Sequence, residues 1–383
     1  MKTKLHYVFT LAIVLVGFSV LGQNSIWQKS TSNGSLNAIS IKDLDVKNHD
    51  IYQLDIQAFK QSLANAPLRD GVRSSNVTIS VPNEMGGMER FKIFEAPVLD
   101  EALSARYPDI KSYVGLNSSG TRLRMSVTPA GVQTMINYAD KPAVFMQPVI
   151  GDPQKYIVYN KSVRGDKYSE DFRCTTIEDY SREVSEGSYV FSRGADDQIL
   201  RKFRLAVSVN GEYTNFHGGT VAGAVAAINA TITRVNEVFE VDMAVSFIVV
   251  DAPELIFTNP ATDPYTSLGA WNGQLQNTLN TTIGNAAYDI GHMFGASGGG
   301  GNAGCIGCVC VNNQKGSGIT SPADAIPQGD TFDIDYVAHE IGHQMGANHT
   351  FAFNTEGTGV NSEPGSGSTV MAYAGITGAN NVQ

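Results

Sequence analysis

The chain has 383 residues, a formal net charge of −10, 42% hydrophobic residues and only 17% charged ones. That length suits two domains of ordinary size, and the apolar content is enough for buried cores, which excludes a disordered chain. The negative charge, with no basic run or basic helical face to offset it, excludes nucleic acid as a partner.

At the N-terminus, Lys2 and Lys4 precede an apolar stretch from Val8 to Leu21, followed by Gly22, Gln23 and Asn24. This is the pattern of a secretory signal peptide over residues 1–22, cut near Gly22. About 14 apolar residues fall short of the roughly 20 that span hydrocarbon, so no stable membrane anchor is expected here or in any other stretch. No cysteine lies near the cut, which gives a lipid anchor no attachment point. The expected location is secreted, outside the cell.

Residues 23–196 read as a β-rich domain followed by a linker. Strands are predicted at 77–81, 90–94, 121–127, 132–138 and 156–160, with Pro or Gly between them. From Ser162 to Lys202 the chain turns polar and charged, and Arg193, Arg201 and Lys202 read as exposed sites for a processing protease. Residues 197–383 change pattern: a strand at 203–213, a helix at 220–242, and a β-branched apolar run at 244–250 that reads as a buried strand. A second helix is predicted from about Gly273 to Tyr288, then a short strand at 289–295. Alternation of this kind predicts an α/β domain with a mixed sheet. The glycine-rich loop 295–310 lacks the Lys-Ser/Thr ending of a phosphate-binding loop and reads as a flexible or closely packed neighbour of an active site.

The chemistry lies in Asp335 to Phe351. His339 and His343 are four residues apart, so on a helix their imidazoles leave the same face one turn apart and meet one ion. Glu340 points in a different direction, toward where a water on that ion would stand. Gly346 ends the helix with a positive φ and turns the chain so that His349 returns as a third nitrogen ligand. Three ligands leave a fourth position for water, the catalytic arrangement of zinc. Three His, one Glu and one Gly at fixed spacing have a chance expectation on the order of 1 in 10⁵ in such a chain, which sets aside ordinary helix histidines. His217 and His292 stand apart and read as packing or surface residues.

The string HEIGHQMGANH resembles the HExxHxxGxxH signature of the metzincins, and GSGSTVMAYAG (365–375) supplies the methionine turn of that class with Met371. Asn348 and the run 332–351 resemble the reprolysin (adamalysin)-like branch, particularly its bacterial secreted members. The likeness covers about 200 to 383, and 94–115 is similar to the propeptide region of such proteins. It implies an α/β metzincin-like catalytic domain, a mixed twisted sheet with long helices, preceded by a mostly β propeptide-like domain. It further implies one catalytic zinc ion, Glu340 as general base, and protein or peptide substrates for a zinc metalloendopeptidase; it gives no oligomeric state. Some metzincins carry a tyrosine two residues past the methionine that reaches the metal or the oxyanion, which makes Tyr373 a candidate; a packed aromatic is the plainer reading. Only residues 372–383 follow Met371, whereas the family's domain continues into a C-terminal helix, so the sequence is allowed to be a fragment. The alternative function is a secreted binding or adhesion module that keeps the fold without activity; retention of Glu340 and of all three ligands argues against it.

Two readings of Cys174 stay open. Its thiolate could take the open zinc position and keep the precursor inactive until the linker is cut, as cysteine switches do in metzincin propeptides, although FRCTT does not match their best-known motifs. Alternatively Cys174 forms a disulfide with Cys305, Cys308 or Cys310, leaving the other two to pair.

Overall fold

The computed structural model describes residues 26–30, 49–149, 152–161, 174–176, 198–352 and 362–373. The expected signal peptide and Arg193 lie outside the described residues.

The N-terminal half is mostly β. Its strands are β1 (Trp27–Lys29), β2 (Asp50–Leu54), β3 (Thr78–Pro82), β4 (Met88–Glu95), β5 (Lys111–Leu116), β6 (Arg122–Thr128), β7 (Gly131–Asn137), β8 (Val144–Val149) and β9 (Asp152–Asn160). They form one sheet in the order β1-β2-β9-β8-β7-β6-β5-β4-β3, with every neighbour antiparallel. Two short helices, α1 (Ile56–Leu63) and α2 (Glu101–Arg106), start at Asp55 and Asp100, whose carboxylates accept from the amides of Ala58 and Ala102. Side chains alternate between the two faces of the sheet. Val144, Met146, Tyr156 and Val158 pack with Phe59 and Leu63 of α1 and with Trp27, while Met135, Phe145, Ile157 and Tyr159 face the C-terminal half. The five expected strands correspond to β3, β4, β6, β7 and β9. β1, β2, β5, β8 and both helices are not among the expected elements, because their runs are short and their polar residues conceal the period.

The C-terminal half holds β10 (Arg201–Val209), β11 (Val245–Val249), β12 (Ile290–Phe294), β13 (Gly300–Asn302) and β14 (Gly318–Ser321). Their order is β11-β10-β12-β14-β13, parallel throughout except for β13. The helices are α3 (Gly211–Phe216), α4 (Val221–Met243), α5 (Trp271–Thr282) and a π-helical stretch Thr331–Ala338 that runs into α6 (His339–Gln344). α5 stops short of the expected Tyr288, because Gly284 at φ +77° turns the chain out of helix. On one face of the sheet α5 buries Trp271, Leu275 and Leu279 against Ala206, Met293 and Ile319. The other face carries α4 and the π-helical stretch, with Val225, Ile228, Ile232, Phe332, Val337 and Ile341 among its core residues.

α4 is buried on nearly every side because it lies between the two sheets. Toward β5 and β6 it presents a polar stripe: Asn229 and Thr233 bond to Ser112, and Asn229 also bonds to Ser126. Glu237 and Glu240 meet arginines from the N-terminal half, with Arg122 Nε and Arg124 Nε 2.6 and 2.8 Å from Glu237 and Arg69 Nη1 2.6 Å from Glu240. The N-terminal half also borders both edges of the five-stranded sheet. At β11, Val249 donates to Val98 (2.7 Å) and accepts from Asp100 (2.8 Å), and Leu99, Leu103 and Ile110 join the core beneath. At β13, Thr175 donates to Gly301 at 2.9 Å. Arg201 and Lys202 open β10 and pair with β11, so as processing sites they would first have to leave a sheet. Among the described residues no helix is long and apolar enough to cross a membrane.

Candidate active site

The helix that carries the donor string is pinned by its apolar side. Ile334, Val337 and Ile341 recur at helical spacing and are buried. This turns His339 and His343 to the opposite side and Glu340 to the flank beside them, all three buried. The helix ends where Gly346 reaches φ +112°. Its amide bonds to the carbonyl of His343 at 2.9 Å and that of Ala347 to Gly342 at 3.0 Å, a pairing that only a residue free of Cβ makes without strain. The reversed chain brings back His349. The three Nε2 atoms then form a triangle with every edge at 3.1 Å.

The other ring nitrogens explain why this triangle faces inward. Nδ1–H of His339 donates to the Val370 carbonyl at 2.6 Å, and that of His343 to the Ala347 carbonyl at 2.7 Å. A carbonyl only accepts, so in the neutral ring each Nε2 carries a bare lone pair. Burial, with His349 beside it, holds His339 uncharged, its pKa lowered to about 3. Acceptor atoms facing one another at 3.1 Å call for a cation among them. Four-coordinate nitrogen ligands about 2.0–2.1 Å from a zinc ion lie roughly 3.3 Å apart, so the donor set fits that group.

The methionine turn closes the site from below. Its Val370 carbonyl is the acceptor for His339, and Met371 comes so close to the helix that a Cβ on Gly342 would stand 2.4 Å from its sulfur. A side chain at position 342 would therefore have to displace Met371. Tyr373 stacks on Phe351 at 4.5 Å between centroids and lies 4.8 Å from the His349 ring, the packed-aromatic arrangement. His292 is fully buried, with Gln344 Oε1 on one ring nitrogen at 2.7 Å and Thr320 Oγ1 on the other at 2.8 Å. It ties the helix to the sheet and stands outside the triangle. His217 packs on Tyr213 and bonds to the Pro327 carbonyl, also away from the site.

Cys174 enters this centre from far along the chain. Its sulfur lies 3.6 Å from Nε2 of His343, and the four donor atoms of Cys174, His339, His343 and His349 lie within 4.8 Å of one another. Burial, and then the Glu340 carboxylate, push the thiol upward, so deprotonation here depends on a cation nearby. The pairing of Cys174 with a loop cysteine is not the one found: Cys305 bonds to Cys308, and Cys174 and Cys310 are free. The bonded loop lies against the helix end, with Gly307 N–H donating to the His343 carbonyl at 3.0 Å.

Two features of the site escape sequence reading. Thr176 donates its hydroxyl to Glu340 Oε2 at 3.1 Å and accepts from the Ala303 amide at 2.8 Å. Gly301 must be glycine, since a Cβ there would come within 2.1 Å of Glu340 Oε1. The adjacency of Thr176 to Cys174 was the one available signal for the first; nothing local marks Gly301 among its neighbouring glycines.

The triangle, the glycine turn and the methionine turn together define a metzincin-type metallopeptidase. Residues 200–383 match the family model Reprolysin_4, described as metallo-peptidase family M12B reprolysin-like. Over those residues the chain is similar to the reprolysin-like metallopeptidases. The crystal structure of metalloproteinase-II from Bacteroides fragilis is similar at 11% identity and a TM-score of 0.39, covering 72% of this chain and 83% of that one. No curated protein matches the chain.

Proposed function

We propose that the chain is a secreted zinc endopeptidase made as a latent precursor. In this reading residues 1–22 are the signal peptide, 23–196 a propeptide with its linker, and 197–383 the catalytic domain. The observation that carries it is the 3.1 Å triangle of ring nitrogens with Glu340 buried beside it. His339, His343 and His349 would hold the ion. Zinc, when bound, supplies Lewis acidity that brings the pKa of a coordinated water near 7 and polarises a carbonyl. Glu340 takes the proton released as the water oxygen bonds to the peptide carbon. It then delivers that proton to the amine nitrogen as the C–N bond breaks, so no covalent intermediate with the protein is needed. Gly301 leaves room for its carboxylate next to β13.

Latency follows from the segment 174–176. The Cys174 sulfur lies within 4.8 Å of the three histidine donor atoms, close enough to serve as a fourth ligand, and the Thr176 hydroxyl engages the carboxylate that would receive the water proton. The thiol and the hydroxyl would thus compete with the reacting water for the ion and for Glu340. Cutting the linker would let this short segment leave. A binding module without activity has no use for a buried Glu beside a complete donor triangle, which disfavours that alternative.

The test uses purified chain cut within the linker and an unfolded protein as substrate. About one zinc per chain and loss of cleavage on chelation are expected. Glu340→Ala should keep the metal and lose about 10²–10⁴-fold in rate or more, since one residue makes two proton transfers. A Glu340→Ala chain with parental turnover, or a parent without metal, would sink the reading.

A further inference from the structure

The histidine triangle is held from outside by a carboxylate that belongs to none of the motifs. Glu363 joins two stretches of chain around the site. Its own amide donates to the Thr350 carbonyl at 2.7 Å, and the Ala352 amide donates to its carbonyl at 2.8 Å. Its side chain accepts from four donors. Thr350 Oγ1 reaches Oε1 at 2.5 Å, and the hydroxyl of Thr369 reaches the same oxygen. The amides of Ser368 and Thr369 reach Oε2 at 2.7 and 3.2 Å.

Each donor adjoins a part of the centre. Thr350 follows His349 directly. Thr369 precedes Val370, whose carbonyl receives the ring N–H of His339, and Met371, whose sulfur lies against Gly342. Gly367, at φ +65°, allows the close approach: a Cβ there would lie 3.0 Å from the carboxylate. We propose that Glu363 is the positioning residue that sets the third ligand's loop against the methionine turn, and so fixes the spacing of the His339 and His349 nitrogens. It touches none of the three nitrogens, and acts through Thr350 and Thr369. Burial opposes its ionisation, but the two hydroxyls and two amides outweigh it and hold the pKa at about 2. The clamp is therefore charged throughout the neutral range.

This inference rests on the zinc reading above, and its test separates the two. Zinc affinity of the full chain is measured by competition with a chromogenic chelator, and the visible spectrum of the cobalt-substituted chain reports ligand geometry; neither needs activity. Glu363→Ala should weaken zinc binding by about 10–100-fold, the usual effect of losing a partner that orients ligands, and shift the cobalt spectrum. Glu363→Gln keeps an acceptor for the hydroxyls but faces the two amides with its own N–H₂ when it does so. It should recover part of the affinity. In the linker-cut enzyme the loss should appear in kcat with KM little changed. A folded Glu363→Ala chain with parental affinity and spectrum overturns the proposal. If that variant does not fold, a Glu363→Gln chain with parental affinity and spectrum overturns it equally. A parent that binds no zinc overturns the zinc reading, and the clamp falls with it.

Discussion

The N-terminal half meets the C-terminal half in two zones of opposite character. The broad zone covers α4 and the β11 edge. It buries Leu99, Leu103 and Ile110 in the C-terminal core and sets Arg69, Arg122 and Arg124 against Glu237 and Glu240. The narrow zone at β13 is made by described residues 174–176, which present a thiol and two hydroxyls to a glycine edge. Area and paired charge hold the first; the second adds little apolar surface and reaches the reacting groups. One carboxylate, Glu237, is thus buried among arginines that hold the two halves together, and another, Glu340, is buried beside the histidine triangle, where we propose it does chemistry. The difference lies in what faces them: two guanidiniums for Glu237, a threonine hydroxyl for Glu340.

The comparison breaks if changes in the two zones have the same consequences. Glu237→Ala should have the largest effect. It leaves Arg124, buried to 1% exposure, with only Glu240 to pair. Stability should fall by about 3 kcal/mol, the low end for breaking a buried pair. A denaturation midpoint measures this, and the uncut precursor should stay inactive. Activity gained without lost stability would mean that the broad zone also guards the site.

Cys174→Ser should do the reverse. The uncut precursor should gain activity by about tenfold or more, since each 1.4 kcal/mol of thiolate attraction lost shifts the closed segment's equilibrium tenfold. Its melting temperature should stay close to that of the parent. A folded variant as silent as the parent would remove the thiol from latency. The smallest effect is expected from Thr176→Val placed on Cys174→Ser. Losing the hydroxyl that bonds to Glu340 and to the Ala303 amide, at a net cost of about 1 kcal/mol to the closed segment, should raise uncut activity roughly a further fivefold. No change there would leave the thiol as the sole lock.

The donor string, the glycine turn and Met371 were legible in the sequence, because their geometry follows from the helical period and from backbone freedom at one residue. The strands of the N-terminal half were legible where apolar residues alternate, and α4 where a long apolar run is bounded by a Thr cap. Why that helix carries Asn229, Thr233 and Glu237 among its apolar residues was not, since their partners come from β5 and β6. Cys174 was visible only as two competing chemistries, and its place beside a histidine 169 residues away came from tertiary structure alone. Thr176, 164 residues from Glu340, and Glu363, alone in a Ser/Gly/Pro-rich loop, gave no local sign. A pattern of residues specifies what lies within a turn of helix or a step of strand. Contacts that close only when separate elements pack depend on the whole chain, and the neighbours of this site, Cys174, Thr176 and Glu363, are of that kind.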